Sequence, residues 1–176
     1  MKILGVSGSL RAGSFNTQLL RAAAADAPDG VEVELWDGLG DLPVYDQDLE
    51  ADVPESVRRL REVWGSADAI LFATPEYNGS VPGGLKNAID WASRPKGEAP
   101  LLNKTVAVIG ASMGQFGALW AQQDLRRILG IAGARVVEGE LPVARAHEGL
   151  DDAVLGALRA KLEALVLAAD ALEAAA

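Results

Sequence analysis

The sequence predicts an α/β fold: a five-stranded parallel sheet in the order 2-1-3-4-5 with helices on both faces. Three observations carry this. Strand-like runs and helical patterns alternate five times along the 176 residues, as repeated parallel crossovers require. Three of the runs are continuously apolar, as strands buried on both faces are. The other two carry charge and suit the two edges of such an order. The length and a hydrophobic fraction of 49% favour one domain over 1–176.

The first strand, over 2–8, contains Ile3-Leu4-Gly5-Val6, and a helix follows over 15–26. The second strand, 31–37, alternates as Val31-Glu32-Val33-Glu34-Leu35, so one face meets water. A helix over 54–65 starts at Pro54 and places Val57, Leu60 and Trp64 on one side, which makes Trp64 core. The third strand, 69–74, and the fourth, 105–111, are apolar throughout their centres. The helix at 83–93 has the stripe Leu85, Ala88, Ile89 and Ala92; that at 117–131 has Ala121, Leu125, Ile128 and Leu129. A short fifth strand over 135–139 is flanked by charge. The last helix, 151–173, steps through Leu155, Leu158, Leu162 and Leu165, and the Ala-rich end 168–176 reads as a fraying helix end. Segment 38–53 is a long loop for so compact a chain. It either borders a ligand pocket or is an acidic surface loop.

Composition excludes several kinds of chemistry. There are no cysteines, which removes disulfides, thiolate metal sites, iron–sulfur clusters and any Cys nucleophile. The single histidine, His147, supports neither a His-rich metal site nor a Ser-His-Asp triad, so no metal is expected and no catalytic residue is assigned. A net charge of −9 opposes phosphate backbones and anionic membranes, so neither nucleic acid nor a membrane is an expected partner. No run of 18 apolar residues is present, and the N-terminal run lacks the features of a signal peptide. A cytoplasmic location is the resulting expectation.

In an open α/β sheet, ligands bind beyond the carboxyl ends of the strands. Three segments there carry the right residue types. After the first strand comes Ser7-Gly8-Ser9-Leu10-Arg11-Ala12-Gly13-Ser14-Phe15-Asn16. A helix N-terminus presents unpaired N–H groups and a positive dipole end to an anion. Gly8 and Gly13 permit close approach and unusual backbone angles, and Ser9, Ser14 and Asn16 add donors beside Arg11. Gly8 to Gly13 has the Walker spacing, but Ser14-Phe15 stands where Lys-Ser/Thr is needed, and the dinucleotide pattern is absent. The loop suits one terminal phosphate, or else it merely caps the helix. After the third strand, Thr74-Pro75-Glu76-Tyr77-Asn78-Gly79-Ser80 offers backbone donors, an aromatic face at Tyr77 and an amide at Asn78 for a flat ring. Asn78-Gly79 is equally an ordinary turn signal. After the fourth strand, Ser112 and Gly114 lie in the small-residue loop 110–117.

Together these segments resemble the NAD(P)H-dependent FMN reductase family, the flavodoxin-like group that includes chromate and quinone reductases. The matching pieces are Gly8-Ser9-Leu10-Arg11 with Gly13-Ser14 and Asn16, then Pro75 to Gly83 with Leu85-Lys86-Asn87-Ala88-Ile89-Asp90-Trp91. The resemblance covers nearly the whole chain. It implies FMN as cofactor, its phosphate on Ser9, Arg11, Gly13, Ser14, Phe15 and Asn16. The isoalloxazine would lie along Pro75, Glu76, Tyr77, Asn78 and Gly79, with Ser112 and Gly114 close by. It also implies NADPH or NADH as electron donor, small-molecule acceptors such as free flavin and quinones, and a ping-pong cycle on one flavin face. The chain departs at Leu119-Trp120-Ala121, where related sequences often carry Arg before the Ala.

The alternative from another class is a flavodoxin-type carrier passing single electrons to protein partners. An acidic surface suits a carrier, whereas the low Gly-rich wall at 110–117 suits an enzyme whose flavin is open to nicotinamide. Trp91 and Trp120 both fall off the apolar stripes of their helices. They are expected to anchor a homodimer or homotetramer through those two helices; the other possibility is that each folds over its own loop.

Overall fold

The computed structural model describes residues 1–174; residues 175 and 176, the tip of the Ala-rich end, lie outside the described residues. Six strands form one parallel sheet: β1 (Lys2–Ser7), β2 (Glu32–Trp36), β3 (Ala69–Thr74), β4 (Thr105–Ala111), β5 (Arg135–Val136) and β6 (Pro142–Val143). The order is β2-β1-β3-β4-β5, and β6 also pairs with β4. Five helices cover the sheet: α1 (Phe15–Ala25), α2 (Glu55–Ser66), α3 (Gly83–Ala92), α4 (Leu119–Ile131) and α5 (Asp152–Glu173).

Alternation along the strands sorts the core into two halves. Leu4, Val6, Ile70, Phe72, Val106 and Val108 face α2, α3 and α4. Ile3, Ala69, Leu71, Ala73, Ala107 and Ile109 face α1 and α5. Every residue of β3 and β4 is buried, which explains why both read as unbroken apolar runs. Val57, Leu60 and Trp64 are fully buried as their spacing predicts. Trp64 sits edge-on to Trp36 and Phe72, at 5.4 and 5.3 Å between ring centroids. On α5, Leu158, Leu162 and Leu165 are buried, but Leu155 lies 36% exposed at the helix start.

Two predicted features need correction. The fifth strand does not run over 135–139. β5 pairs with Thr105 and Val106, β6 pairs with Gly110 and Ala111, and 138–140 bulges away between them, while Val137 and Leu141 keep backbone bonds to Val106 and Gly110. Side chains of α4 close the gap. The Gln122 carbonyl oxygen accepts the Leu141 N–H at 2.9 Å, and Arg126 pairs with Glu138 and Glu140. Segment 38–53 is not irregular throughout: it forms two 3-10 turns, Gly38–Asp41 and Gln47–Glu50.

Candidate active site

The first, third and fourth loops meet at the carboxyl edge of β1, β3 and β4, as the strand order requires. The first loop is built around α1. Ser14 is its N-cap: the residue is 2% exposed, and its hydroxyl accepts the Thr17 N–H at 3.2 Å. No acidic residue lies in the first turn of α1, so the positive helix end is not offset within the helix. Arg11 is exposed and lies over the Phe15 ring, 5.0 Å from its centroid, paired with an aromatic face instead of a carboxylate. Ser9 turns its hydroxyl oxygen toward the Arg11 N–H at 3.4 Å. Within a strongly acidic chain, this corner is therefore suited to an anion.

Gly8 serves close packing here, not an unusual backbone angle. Its N–H bonds the Ala73 carbonyl at 2.8 Å, and a Cβ on it would stand 2.9 Å from Leu85 and 3.2 Å from Pro75. This contact draws the first and third loops together. Asn16 departs from expectation. It is 2% exposed, and its amide bonds both backbone groups of Ala111, donating to the carbonyl at 3.0 Å and accepting the N–H at 2.9 Å. The side chain fastens α1 to the end of β4 and is not free to hold a phosphate.

The third loop contains a two-residue hairpin. Tyr77 and Ser80 exchange both backbone hydrogen bonds at 3.1 Å, and Asn78 and Gly79 take φ of 52° and 75°. Positive φ at both central positions defines a tight primed turn, for which Asn-Gly is the preferred pair. Pro75 is buried at the base, and Tyr77, Asn78 and Gly79 are exposed at the tip. Glu76 does not point freely into solvent: its carboxylate accepts the Ala121 N–H of α4 at 3.1 Å. Ser80 donates to Asp124 of α4 at 2.7 Å. No sequence signal marks Asp124, because an acid on a helix surface reads as solubility.

The fourth loop is sewn to β6 and the turn after it. Ser112 donates its N–H to Val143 at 3.1 Å and accepts that of Ala146 at 3.0 Å, and Gly114 accepts the Arg145 N–H at 3.1 Å. Its exposed side chains are Met113 at 63%, Gln115, and Phe116 at 48%; Phe116 stands beside Trp120 of α4, 46% exposed, with ring centroids 4.8 Å apart. His147 lies exposed in the turn Ala146–Glu148, 3.9 Å from Glu148.

Segment 38–53 lies as a strap across α3, and this overturns the expectation for Trp91. Trp91 is fully buried, donates its indole N–H to Pro43 at 2.9 Å and packs edge-on against Tyr45 at 4.9 Å. Asn87 holds the same strap, accepting the Tyr45 N–H at 2.7 Å and donating to Pro43 at 2.9 Å. Trp91 thus folds under its own chain and is no interface anchor; of the two tryptophans, Trp120 is the one left exposed. The Tyr45 hydroxyl bonds Glu50, which raises its pKa, with burial adding to the effect and the nearby Arg94 opposing it. The strap also reaches the first loop: Leu10 rests on Gly40, where a Cβ would stand 3.4 Å from it.

Comparison with known proteins agrees with this geometry. Residues 1–148 match the family model described as NADPH-dependent FMN reductase. The chain is 52% identical over 130 residues to an NAD(P)H-dependent FMN reductase of Pseudomonas aeruginosa, covering 73% of this chain and 69% of that one. It is 42% identical over 139 residues to a quinone reductase of Escherichia coli, covering 78% and 73%. Among solved structures it superposes on FerB, a flavoenzyme NAD(P)H:(acceptor) oxidoreductase from Paracoccus denitrificans. The TM-score is 0.81 at 36% identity, over 93% of this chain and 96% of that one. The α1 terminus, the Asn-Gly hairpin and these likenesses together establish that the chain belongs to the NADPH-dependent FMN reductase family and is an oxidoreductase.

Proposed function

We propose that the protein reduces quinones, free flavin or related small acceptors with NADH or NADPH, using one bound FMN. The observation that carries this reading is the pairing of a single-phosphate corner with a flat-ring edge on neighbouring loops. The corner comprises the α1 terminus, the Ser14 hydroxyl and Arg11; Ser9 and the backbone of Gly13, Phe15 and Asn16 complete it. The edge is the hairpin tip, Tyr77 to Gly79, whose Asn78 and Gly79 N–H groups are not used by the hairpin's own pair of bonds. Bound FMN supplies hydride and electron transfer. The protein binds and orients: Arg11 and the helix end neutralise the phosphate, and the hairpin backbone reads the ring edge. The wall formed by Met113, Phe116 and Trp120 keeps an apolar face at hand for aromatic rings.

Among the described residues no G-x-G-x-x-G loop offers a separate place for a dinucleotide. Donor and acceptor therefore take the same open face in turn, a ping-pong cycle. A carrier that transfers single electrons to proteins fits less well, because the relatives above are named as reductases of small acceptors. A cytoplasmic location belongs to the same reading. So does a homodimer or homotetramer joined through α3 and α4; α4 exposes Trp120 and Ile131, the latter at 76%, and Leu102 is exposed in the segment between α3 and β4. A groove of about 520 Å³ between α3, the segment after it and α4, with Ile89, Leu102, Ile128 and Ile131 beside Lys86, Asp90 and Arg127, gives a second copy room to seat side chains.

Flavin titration followed by fluorescence quenching tests the cofactor. FMN is expected to bind at micromolar protein in preference to FAD, and no quenching, or preference for FAD, overturns the reading. Initial rates with NADH and NADPH against a quinone panel are expected to give parallel double-reciprocal lines. Intersecting lines would show a ternary complex. Light scattering is expected to give a mass at least twice the 18.4 kDa chain, and a smaller assembly for Trp120→Glu.

A further inference from the structure

Helix α4 begins without a cap of its own. Its N-cap position, Ala118, lies in the left-handed region at φ 61° and offers no side-chain acceptor. The cap arrives from another loop, through the Glu76 carboxylate on the Ala121 N–H at 3.1 Å. One turn further on, the half-buried Asp124 accepts the Ser80 hydroxyl at 2.7 Å. Glu76 and Ser80 flank the hairpin tip, so α4 grips the hairpin on both sides. That grip matters because the hairpin is minimal. Two backbone bonds close it, its two central residues sit at positive φ, and its tip is exposed. An isolated hairpin is marginal even with longer strands.

We propose that Asp124 is a positioning residue: through Ser80 it holds the Tyr77–Ser80 hairpin in the geometry that accepts the isoalloxazine ring, which makes ring affinity depend on α4. This rests on the FMN reading above. A site that is competent only a fraction f of the time binds with an apparent Kd of Kd/f. A hydrogen bond to a charged group is strong enough to move f by roughly tenfold. Its loss acts on the ring and not on the phosphate.

Fluorescence titration of FMN and riboflavin against wild type, Asp124→Ala, Asp124→Asn, Ser80→Ala and the double alanine variant tests the assignment. Asp124→Ala and Ser80→Ala are each expected to weaken both flavins by the same factor, about tenfold. The double variant should be no weaker than either single one, because both remove the same bond. Asp124→Asn should recover most of the affinity, since an amide oxygen still accepts the Ser80 proton. In the flavin-free protein, amide exchange at Tyr77 and Ser80 should quicken by a similar factor in Asp124→Ala, with the thermal midpoint little changed. If wild type binds FMN and Asp124→Ala binds both flavins equally well, the proposal is overturned while the cofactor reading stands. Additive single effects, or a loss confined to FMN, would also overturn it. If wild type binds neither flavin, the cofactor reading falls and this proposal with it.

Discussion

Asn16→Ala separates two roles that a sequence cannot distinguish. The Asn16 amide satisfies both the N–H and the carbonyl of Ala111, at 2.9 and 3.0 Å, and both residues are 2% exposed. Truncation leaves two buried backbone groups without partners. Each such group costs about 1–3 kcal/mol, so the loss is about 4 kcal/mol. For a chain of this size each kcal/mol moves Tm by about 2–4 °C, so a fall of roughly 8–16 °C is expected. Denaturant melts of the flavin-free protein should show a lower midpoint with an unchanged slope. The ratio of FMN to riboflavin affinity should stay at its wild-type value, because the side chain holds β4 and not the phosphate. Asn16→Asp should also destabilise, since a carboxylate oxygen would replace the donor that faces the Ala111 carbonyl. An Asn16→Ala protein of normal stability that had lost FMN selectively would refute the assignment and restore Asn16 as a phosphate donor.

Arg11→Ala should behave in the opposite way. It should weaken FMN by roughly ten- to a hundredfold while sparing riboflavin, as loss of one charge-assisted hydrogen bond predicts; equal loss for both flavins in titrations would remove Arg11 from the phosphate. Trp91→Ala should cost about 3–5 kcal/mol in guanidinium melts, and Trp120→Ala less than about 1 kcal/mol of protomer stability; similar costs would contradict the strap over α3. The Tyr45 phenol should titrate above its ordinary value of 10.0 because its proton is shared with Glu50. A raised folded pKa contributes stability below the unfolded pKa and loses it as pH rises through the folded one. The chain has two tyrosines, so alkaline absorbance titration of Tyr77→Phe reads Tyr45 alone. Adding Glu50→Gln should bring its midpoint down, and an unshifted midpoint in both variants would contradict the bond.

The parts of the fold that were legible are those written in local periodicity. Ile70 and Phe72 face one core and Leu71 the other, and such two-sided burial leaves an unbroken apolar run. Val57, Leu60 and Trp64 mark a helix face just as directly. The features that local pattern does not carry depend on partners distant in sequence. Trp91 lies off the sheet-facing stripe of α3, yet a strap anchored at Pro43, 48 residues earlier, gives the helix a second buried side. Pro43-Val44-Tyr45 in a long loop was the available signal. The break between β5 and β6 was invisible because a side chain, Gln122, takes a backbone partner there. Residue types at the site showed which atoms are able to donate or accept. Asn16 shows that they do not show direction: two helix positions after Ser14, its amide turns inward to Ala111.

The broken fifth strand bears on how this chain avoids sticking to its neighbours in a crowded solution. A long, flat, unpaired strand is a template on which another chain can add its own. At one border of the sheet, β5 offers two residues before the backbone swings out, and Arg126, Glu138 and Glu140 hold it there with charges. At the other border, β2 sets exposed Glu32 and Glu34 among its apolar residues, with Lys2 paired to Glu34 at 2.6 Å. An incoming strand would find too few backbone groups on one side and would have to desolvate carboxylates on the other. Growth of the sheet from chain to chain is thus obstructed at both ends.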